Sequence, residues 1–285
     1  MRKLMPLIPA VFFCGALLAY NSFSDSWREV RGDHFIVYYT QDDKFAKDAL
    51  DRSEVCYRRI ALELGYPRYS DFWTWDKRVK LYIYPDHQSY LKSTNQPSWS
   101  HGMADYYAKE ITSFAWSNNF LESLLPHEIA HLIFRDFVGF KGEVPLWLDE
   151  GVAQWSEEIR RDYVRKMIRK MYEDDGLLSL ENMMRIDLKE IRDMGKVYVL
   201  STYTKDGQKA PLILGAENLV NIYYLQAVSL VGFLVEKYGS ESFAAFCRQL
   251  RDGKSLGEAL RFTYPTHLEN LGDLEVNWRK YIAGN

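Results

Sequence analysis

Two histidines separated by one helical turn are the feature that most constrains this chain. They lie in the segment His127-Glu128-Ile129-Ala130-His131. In an α-helix, residues i and i+4 lie about 40° apart and one turn along the axis, so both imidazoles can reach a single ion. Glu128 is rotated by about 100° from His127, which puts its carboxylate beside such an ion, where a bound water would lie. The segment therefore predicts a metal site with Glu128 as a general base.

The sequence on both sides of this motif favours a buried helix. Asn119 and Ser123 are candidate N-caps, and Pro126 suits the first turn of a helix. After His131, the residues Leu132-Ile133-Phe134 continue the apolar pattern. We therefore expect the histidines to project from a helix that is largely shielded from solvent.

A third metal ligand is expected on a second apolar helix, which extends from Pro145 to Trp155. A catalytic zinc takes about three protein ligands and leaves one position open for water. Glu150 lies on this second helix, and eighteen residues separate it from His131. Acidic residues near a helix N-terminus are also common on electrostatic grounds alone, and this alternative applies to Asp149 and Glu150 alike.

The combined pattern resembles the signature of the gluzincin metallopeptidases, the clan of thermolysin and the aminopeptidase N family. Its parts are His-Glu-x-x-His, a spacing of eighteen residues, and a Glu within Trp-Leu-x-Glu-Gly-x-Ala. The shorter bacterial peptidase MA-like proteins are the members closest in size. The resemblance implies that His127, His131 and Glu150 bind one Zn²⁺ ion and that Glu128 activates its water. It also implies an α+β fold of the thermolysin-like zincin type: an N-terminal α/β lobe with a mixed sheet, the zinc helix, and a mainly helical C-terminal lobe.

The same resemblance suggests roles for three neighbouring residues. Asp149 would then be a helix cap or a group that orients a ligand, and Gln154, one turn after Glu150, would orient a ligand histidine. Thermolysin-like relatives carry an acid at the position of Gln154, so the chain departs from the family there. Tyr224 is the candidate donor to the oxyanion, because Tyr223-Tyr-Leu-Gln-Ala resembles a helix of the family. The alternative is that both tyrosines are core aromatics in a chain with 20 Tyr.

The kind of peptide substrate is less well defined by the sequence. Aminopeptidases of the clan carry Gly-x-Met-Glu-Asn, whereas the nearest segment here, Gly102-Met-Ala-Asp-Tyr106, has no Glu-Asn pair. We therefore expect an endopeptidase that acts on a peptide or protein substrate. Residues 109–115 are predicted to form a strand, and the resemblance implies that this strand is the sheet edge on which the substrate is laid.

The N-terminus predicts export from the cytoplasm. Met1-Arg-Lys precedes an apolar stretch from Leu4 to Tyr20, and we interpret residues 1–24 as a signal peptide, with an uncleaved signal anchor as the alternative. The product would be periplasmic, secreted or anchored to the outer face of a membrane. Cys56 and Cys247 would then form one disulfide or remain separate buried thiols.

Composition bounds the remaining possibilities. With 36 Lys plus Arg against 39 Asp plus Glu, no charge excess predicts binding to nucleic acid. Residues 25–119 are predicted to form the α/β lobe, with strands at 33–39 and 79–84 and a helix near 43–64, and residues 120–285 the helical lobe. The basic segment from Arg160 to Lys170 is interpreted as a solvated amphipathic face rather than a membrane-binding one.

Two other functions compete with a peptidase. The first is a zinc hydrolase of another amide, such as one in peptidoglycan, since the same water and Glu128 could attack it. The second is a non-catalytic envelope protein that binds zinc for structure. The presence of Glu128 argues against the second, because a structural zinc site needs no general base.

Overall fold

A computed structural model describes most of the chain. The described residues are 27–66, 72–98, 100–115, 119–140, 144–191 and 193–284. The predicted signal segment, residues 1–24, lies outside them, so the proposed export signal stays a prediction.

The chain divides into two compact units. The first contains the chain up to Arg58 together with Ser70–Leu132, and the second contains Arg59–Tyr69 and Ile133–Asn285. The division therefore falls inside the helix that carries His127 and His131, a little after the lobe boundary expected at residue 120. The helices that follow this one in the described part of the chain belong to the second unit.

The first unit is built on a mixed five-stranded sheet. Its spatial order is β1-β2-β3-β5-β4; β2, β3 and β5 are parallel, while β1 and β4 pair antiparallel at the two ends. The strands are β1 (Arg28–Arg31), β2 (Phe35–Tyr39), β3 (Val79–Tyr84), β4 (Gly102–Asp105) and β5 (Glu110–Phe114). The predicted strands at 33–39, 79–84 and 109–115 are thus present, and the mixed sheet agrees with an α+β protein.

The position of β5 corrects one expectation. Residues 109–115 were expected to form the sheet edge, but β5 lies between β3 and β4, so β4 is the edge on that side. The edge strand is the segment Gly102–Asp105, which the sequence suggested only as a poor match to an aminopeptidase motif. A strand of four residues that contains Gly and Asp has weak β-propensity, which explains why it was not predicted.

The first unit also contains α2 (His87–Thr94) and all but the last five residues of α1 (Asp43–Glu63). The helix α1 matches the predicted helix near 43–64, and α2 was not predicted. The carboxylate of Asp86 caps α2 by accepting a hydrogen bond from the Ser89 amide at 2.8 Å. This short helix lies between β3 and β4 in the chain and carries aromatic side chains that are described below.

The second unit is mainly helical, as expected. Its helices, with the one that enters it from the first unit, are α3 (Leu125–Val138), α4 (Leu146–Trp155), α5 (Arg161–Glu173), α6 (Leu180–Met183), α7 (Ala216–Tyr238), α8 (Ser240–Arg251), α9 (Leu256–Thr263) and α10 (Leu271–Ala283). An antiparallel hairpin of β6 (Val197–Tyr203) and β7 (Lys209–Gly215) interrupts them and was not predicted.

The long helix α7 forms the centre of this unit. It is apolar enough over 23 residues to cross a membrane, but 83% of its most apolar window is buried inside the protein. Burial of this extent is typical of the core helix of a globular unit. Cys247 on α8 and Cys56 on α1 are both buried thiols, so of the two expected alternatives the structure contains separate thiols.

Candidate metal centre

The helix that carries the two histidines begins with an irregular turn. Residues Phe120–Leu124 form a π-helix that leads directly into α3. Pro126 cannot donate the amide hydrogen bond of a regular α-helix at this point, which fits a wider turn before it. Asn119 precedes the π-helix but makes no side-chain capping bond, and Ser123 lies within the turn rather than at its start. Asn119 therefore does not cap the π-helix, and the capping role of Ser123 stays a prediction.

The two imidazoles are oriented towards a common point. The Nε2 atoms of His127 and His131 lie 3.2 Å apart, and their rings are inclined by 77°. Two nitrogens bound tetrahedrally at about 2.1 Å from one zinc ion would lie about 3.4 Å apart. The spacing of the imidazole pair therefore fits a shared metal ion. Both rings are buried, with 8% and 1% of their surface exposed.

Glu150 completes the donor set. One donor atom from each of His127, His131 and Glu150 can be chosen so that all three lie within 4.8 Å of one another. Glu150 is only 1% exposed. Two imidazoles and one carboxylate form the ligand set of hydrolytic zinc sites, and they leave room for a fourth ligand. The residues present thus fit the zinc ion that the sequence predicts.

An ion pair holds α3 against α4 beside this donor set. Arg135, one turn after His131, donates a hydrogen bond to the Asp149 carboxylate at 2.7 Å. Arg135 and Asp149 belong to the same compact unit, and α3 is continuous from the motif to Arg135. The pair therefore links α4 to the last turn of α3.

Two of the neighbouring residues named from the sequence can now be located. Asp149 is buried, but Pro145 occupies the N-cap position of α4, so Asp149 acts as an ion-pair partner and not as the cap. Gln154 is buried in the last turn of the same helix. Its role in orienting a ligand stays a prediction.

A glycine next to the third ligand allows a close helix contact. A β-carbon at Gly151 would lie 2.6 Å from the carbonyl oxygen of Ala227 on α7, too close for any side chain. The absence of a side chain lets α4 and α7 pack at short range. This contact gives a physical reason for the glycine in the Glu-Gly-x-Ala pattern, and it brings the tyrosines of α7 close to Glu150.

Two tyrosines of α7, rather than one, lie in the electrostatic field of Glu150. Burial, followed by the charge of Glu150, raises the pKa of Tyr224 well above its ordinary value. The same two causes raise the pKa of Tyr223, with a further contribution from Asp187. Both phenols therefore stay protonated and can donate a hydrogen bond. The choice of Tyr224 as the oxyanion donor stays a prediction, and Tyr223 is a competitor that the sequence did not reveal.

The environment of Glu128 includes a residue that sequence reasoning missed. Glu128 is 3% exposed. Burial raises the pKa of Tyr90 to about 12, and the negative charge of Glu128 contributes to this rise. The Tyr90 hydroxyl is also within 2.7 Å of Ser100 Oγ. No pattern marks α2 as part of a site, since its relation to Glu128 depends on the packing of the sheet.

Aromatic and imidazole rings surround Tyr90 in the first unit. His87 stacks on Phe114 at 4.7 Å between ring centroids, and it lies 5.4 Å from the ring of His101. Burial lowers the pKa of His101, and His87 lowers it further. His101 immediately precedes the edge strand β4. These histidines are not among the clustered donor atoms of the metal centre in the described part of the chain.

Comparison with known proteins adds no assignment. No protein-family model matches the chain, and no curated protein matches it significantly. The interpretation of the site therefore rests on the motif, the donor geometry and the packing described above.

Proposed function

We propose that this protein is a zinc-dependent metallopeptidase of the gluzincin type that cleaves internal peptide bonds. The observation that carries the proposal is the clustering of His127, His131 and Glu150 in a buried setting, with Glu128 on the same helix as the imidazoles. A structural zinc site would have no use for that additional buried acid.

The chemistry follows from the position of each group. A zinc ion held by His127, His131 and Glu150 would supply Lewis acidity towards water and the scissile carbonyl. The Glu128 carboxylate takes the proton of the attacking water and returns it to the departing amine. The Tyr224 hydroxyl, kept protonated by its burial, donates a hydrogen bond to the developing oxyanion.

The edge strand β4 is our candidate for substrate binding. It belongs to the same unit as Glu128 and has a paired neighbour, β5, on one side only. An extended peptide can therefore hydrogen-bond its main chain to the outer side of β4. Pairing of this kind holds many different sequences, in keeping with an endopeptidase. We further propose that the enzyme acts outside the cytoplasm, on the basis of the apolar stretch from Leu4 to Tyr20.

The test combines metal analysis with a cleavage assay. We expect purified protein to contain one zinc per chain and to cleave members of a peptide library. Glu128→Gln should keep the zinc and lose about 10² to 10⁴ of the rate, the usual contribution of a general base. Glu122→Gln is the matched control, because Glu122 lies six residues earlier in the chain and pairs with Arg52 instead.

Each other outcome contradicts the proposal in a defined way. Zinc binding without cleavage of any peptide, together with release of fragments from peptidoglycan, would assign the site to a different amide. Zinc binding without either activity would support a non-catalytic protein. Absence of zinc after metal loading would remove the whole interpretation.

A further inference from the structure

A pocket of about 470 Å³ lies in the second unit, against α5, α7 and α10. We call it the α5 groove. Its walls include Trp155 at the end of α4 and Gly284 after α10, and none of the metal ligands contributes to it. Its volume lies within the about 300 to 1,000 Å³ of small-molecule sites. The groove is therefore large enough for a ligand of its own.

The floor of the groove is apolar. It is formed by Trp155, Val164, Ile168, Val228 and Ile282. Each of these side chains is less than 9% exposed over the whole residue. A ligand whose apolar part lies on this floor removes its own apolar surface from water, which is favourable at about 25 cal/mol per Å².

Small residues on α7 create the space. Gly232 and Ser229 line the groove where larger side chains would fill it. A β-carbon at Gly232 would lie 3.1 Å from the indole of Trp155, so the glycine seats this ring in the wall. The guanidinium of Arg161 covers the same ring at 3.8 Å from its centroid.

Two of the basic residues around the groove serve to hold its walls. Arg161 forms a two-pronged contact with Glu63, with the shorter bond at 2.8 Å. Arg165 pairs with Glu236 of α7 at 2.8 Å. Glu236 also accepts a hydrogen bond from the Tyr281 hydroxyl at 2.5 Å. The charge of Glu236 is therefore compensated by Arg165 and Tyr281 of the protein.

Two further cations, Lys166 and Arg169, line the rim and are exposed to solvent. Lys166 is exposed and has no carboxylate partner among the described residues. Arg169, three residues further along α5, has a side chain that is 58% exposed; it forms a long ion pair of 3.5 Å with Glu173 and donates a hydrogen bond of 3.5 Å to the carbonyl oxygen of Ala283. Residues i and i+3 of a helix are neighbours on its surface, so both cations can reach one anionic group.

We propose that the α5 groove binds a free medium-chain fatty acid. The alkyl chain would cover the apolar floor, and the carboxylate would bind Lys166 and Arg169 at the rim. The charge pattern selects this ligand over a neutral or cationic amphiphile, since the residues that line the groove include four cations, Arg161, Arg165, Lys166 and Arg169, and one acid, Glu236. Binding in the α5 groove does not depend on the proposed peptidase activity, because the groove and the metal centre share no residue.

The test measures displacement of a fluorescent fatty acid, dansyl-undecanoic acid, from the full chain. We expect laurate to displace the probe. The concentrations of dodecanol and of dodecyltrimethylammonium needed for the same displacement should be at least about tenfold higher, because neither can form the charged contact of a carboxylate. Val164→Phe should abolish probe binding by filling the floor, while circular dichroism reports an unchanged fold.

Two charge reversals on one helix provide the matched comparison. Lys166→Glu should raise the dissociation constant of laurate about tenfold, since it replaces an attraction by a repulsion. Lys170 lies outside the groove, so Lys170→Glu should change this dissociation constant less than about twofold, because its exposed charge is screened by salt. Similar effects of both reversals, or equal displacement by dodecanol, would overturn recognition of a carboxylate. A concentration-dependent dimer that Val164→Phe dissociates would assign the groove to a second copy of the chain and overturn the proposal.

Discussion

The helices α4 and α5 are neighbours in the chain, but the acidic residues of α4 are buried whereas the charged residues of α5 are not. In α4, every residue from Trp147 to Trp155 is buried, and two of these residues are the acids Asp149 and Glu150. In α5, only Val164 and Ile168 are buried. Several charged residues of α5 form exposed ion pairs, and the pair of Lys170 with Asp174 is an example.

This difference shows where charge must have a specific partner. A carboxylate removed from water is costly unless a cation or several hydrogen-bond donors compensate it. Arg135 compensates Asp149, and a bound metal ion would compensate Glu150. Exposed pairs such as those on α5 contribute about 0 to 1 kcal/mol, because water already solvates both partners. The buried acids of α4 are therefore better indicators of function than the larger number of charges on α5.

The largest expected effect follows removal of the acidic ligand. Glu150→Gln keeps the size of the side chain but removes its charge. A change next to a ligand lowers metal affinity by about 10 to 100-fold, and we expect the loss of zinc affinity here to be larger. Peptidase activity should fall with the zinc. Competition with a chelator measures the affinity, and thermal unfolding with and without EDTA measures the coupling to stability.

The control for this substitution lies on α5. Glu173→Gln makes the same chemical change at an exposed position, where the acid lies 3.5 Å from Arg169. We expect its zinc content and its response to EDTA to match those of the wild type. If Glu150→Gln retained zinc as tightly as Glu173→Gln does, the contrast between the two helices would carry no information about the metal.

The second effect concerns stability rather than metal. Arg135→Met removes the cation that meets Asp149 in the interior, and breaking such a buried pair costs about 3 to 5 kcal/mol. Urea denaturation of the metal-free protein measures the change. The double variant with Asp149→Asn should recover part of the loss, because it removes the buried charge as well. Additive losses in the double variant would show that the two side chains do not act as a pair.

Much of the local structure could be predicted from the sequence. Alternating apolar residues gave β3 with the bounds Val79–Tyr84, and a continuous apolar run gave α4 to within one residue. Both signals are local, since each reflects the face or surface that one element buries. The pairing of His127 and His131 was equally local, because one helical turn fixes their separation.

The features that were missed depend on contacts between distant parts of the chain. The edge position of β4 follows from how the sheet is ordered, and the ion pair of Arg135 with Asp149 links two helices. Tyr223 and Tyr224 differ by about 100° around their helix, so only packing decides which phenol reaches a substrate. Such packing has no signature in the residues of α7 alone.

A third effect is expected on α7, the helix that packs on α4. Tyr224→Phe should lower kcat by about 10²-fold, as loss of one oxyanion donor does, while the zinc content is unchanged. Tyr223→Phe is the matched variant at the adjacent position and should have a smaller effect. A steady-state assay separates kcat from KM for both variants. A larger loss of kcat in Tyr223→Phe than in Tyr224→Phe would assign the role of oxyanion donor to Tyr223.

The smallest effect is expected on α5. Lys170→Ala removes an exposed pair with Asp174 at i+4, so we expect almost no change in the free energy of unfolding. Added salt should reduce even this difference, since the screening length between exposed charges falls from about 10 Å at 0.1 M to about 3 Å at 1 M. The cost of Arg135→Met should persist under the same conditions, because Asp149 is only 3% exposed. Urea denaturation at low and high salt compares the two variants. A loss at Lys170 as large as that at Arg135 would mean that burial does not decide which charges of this protein matter.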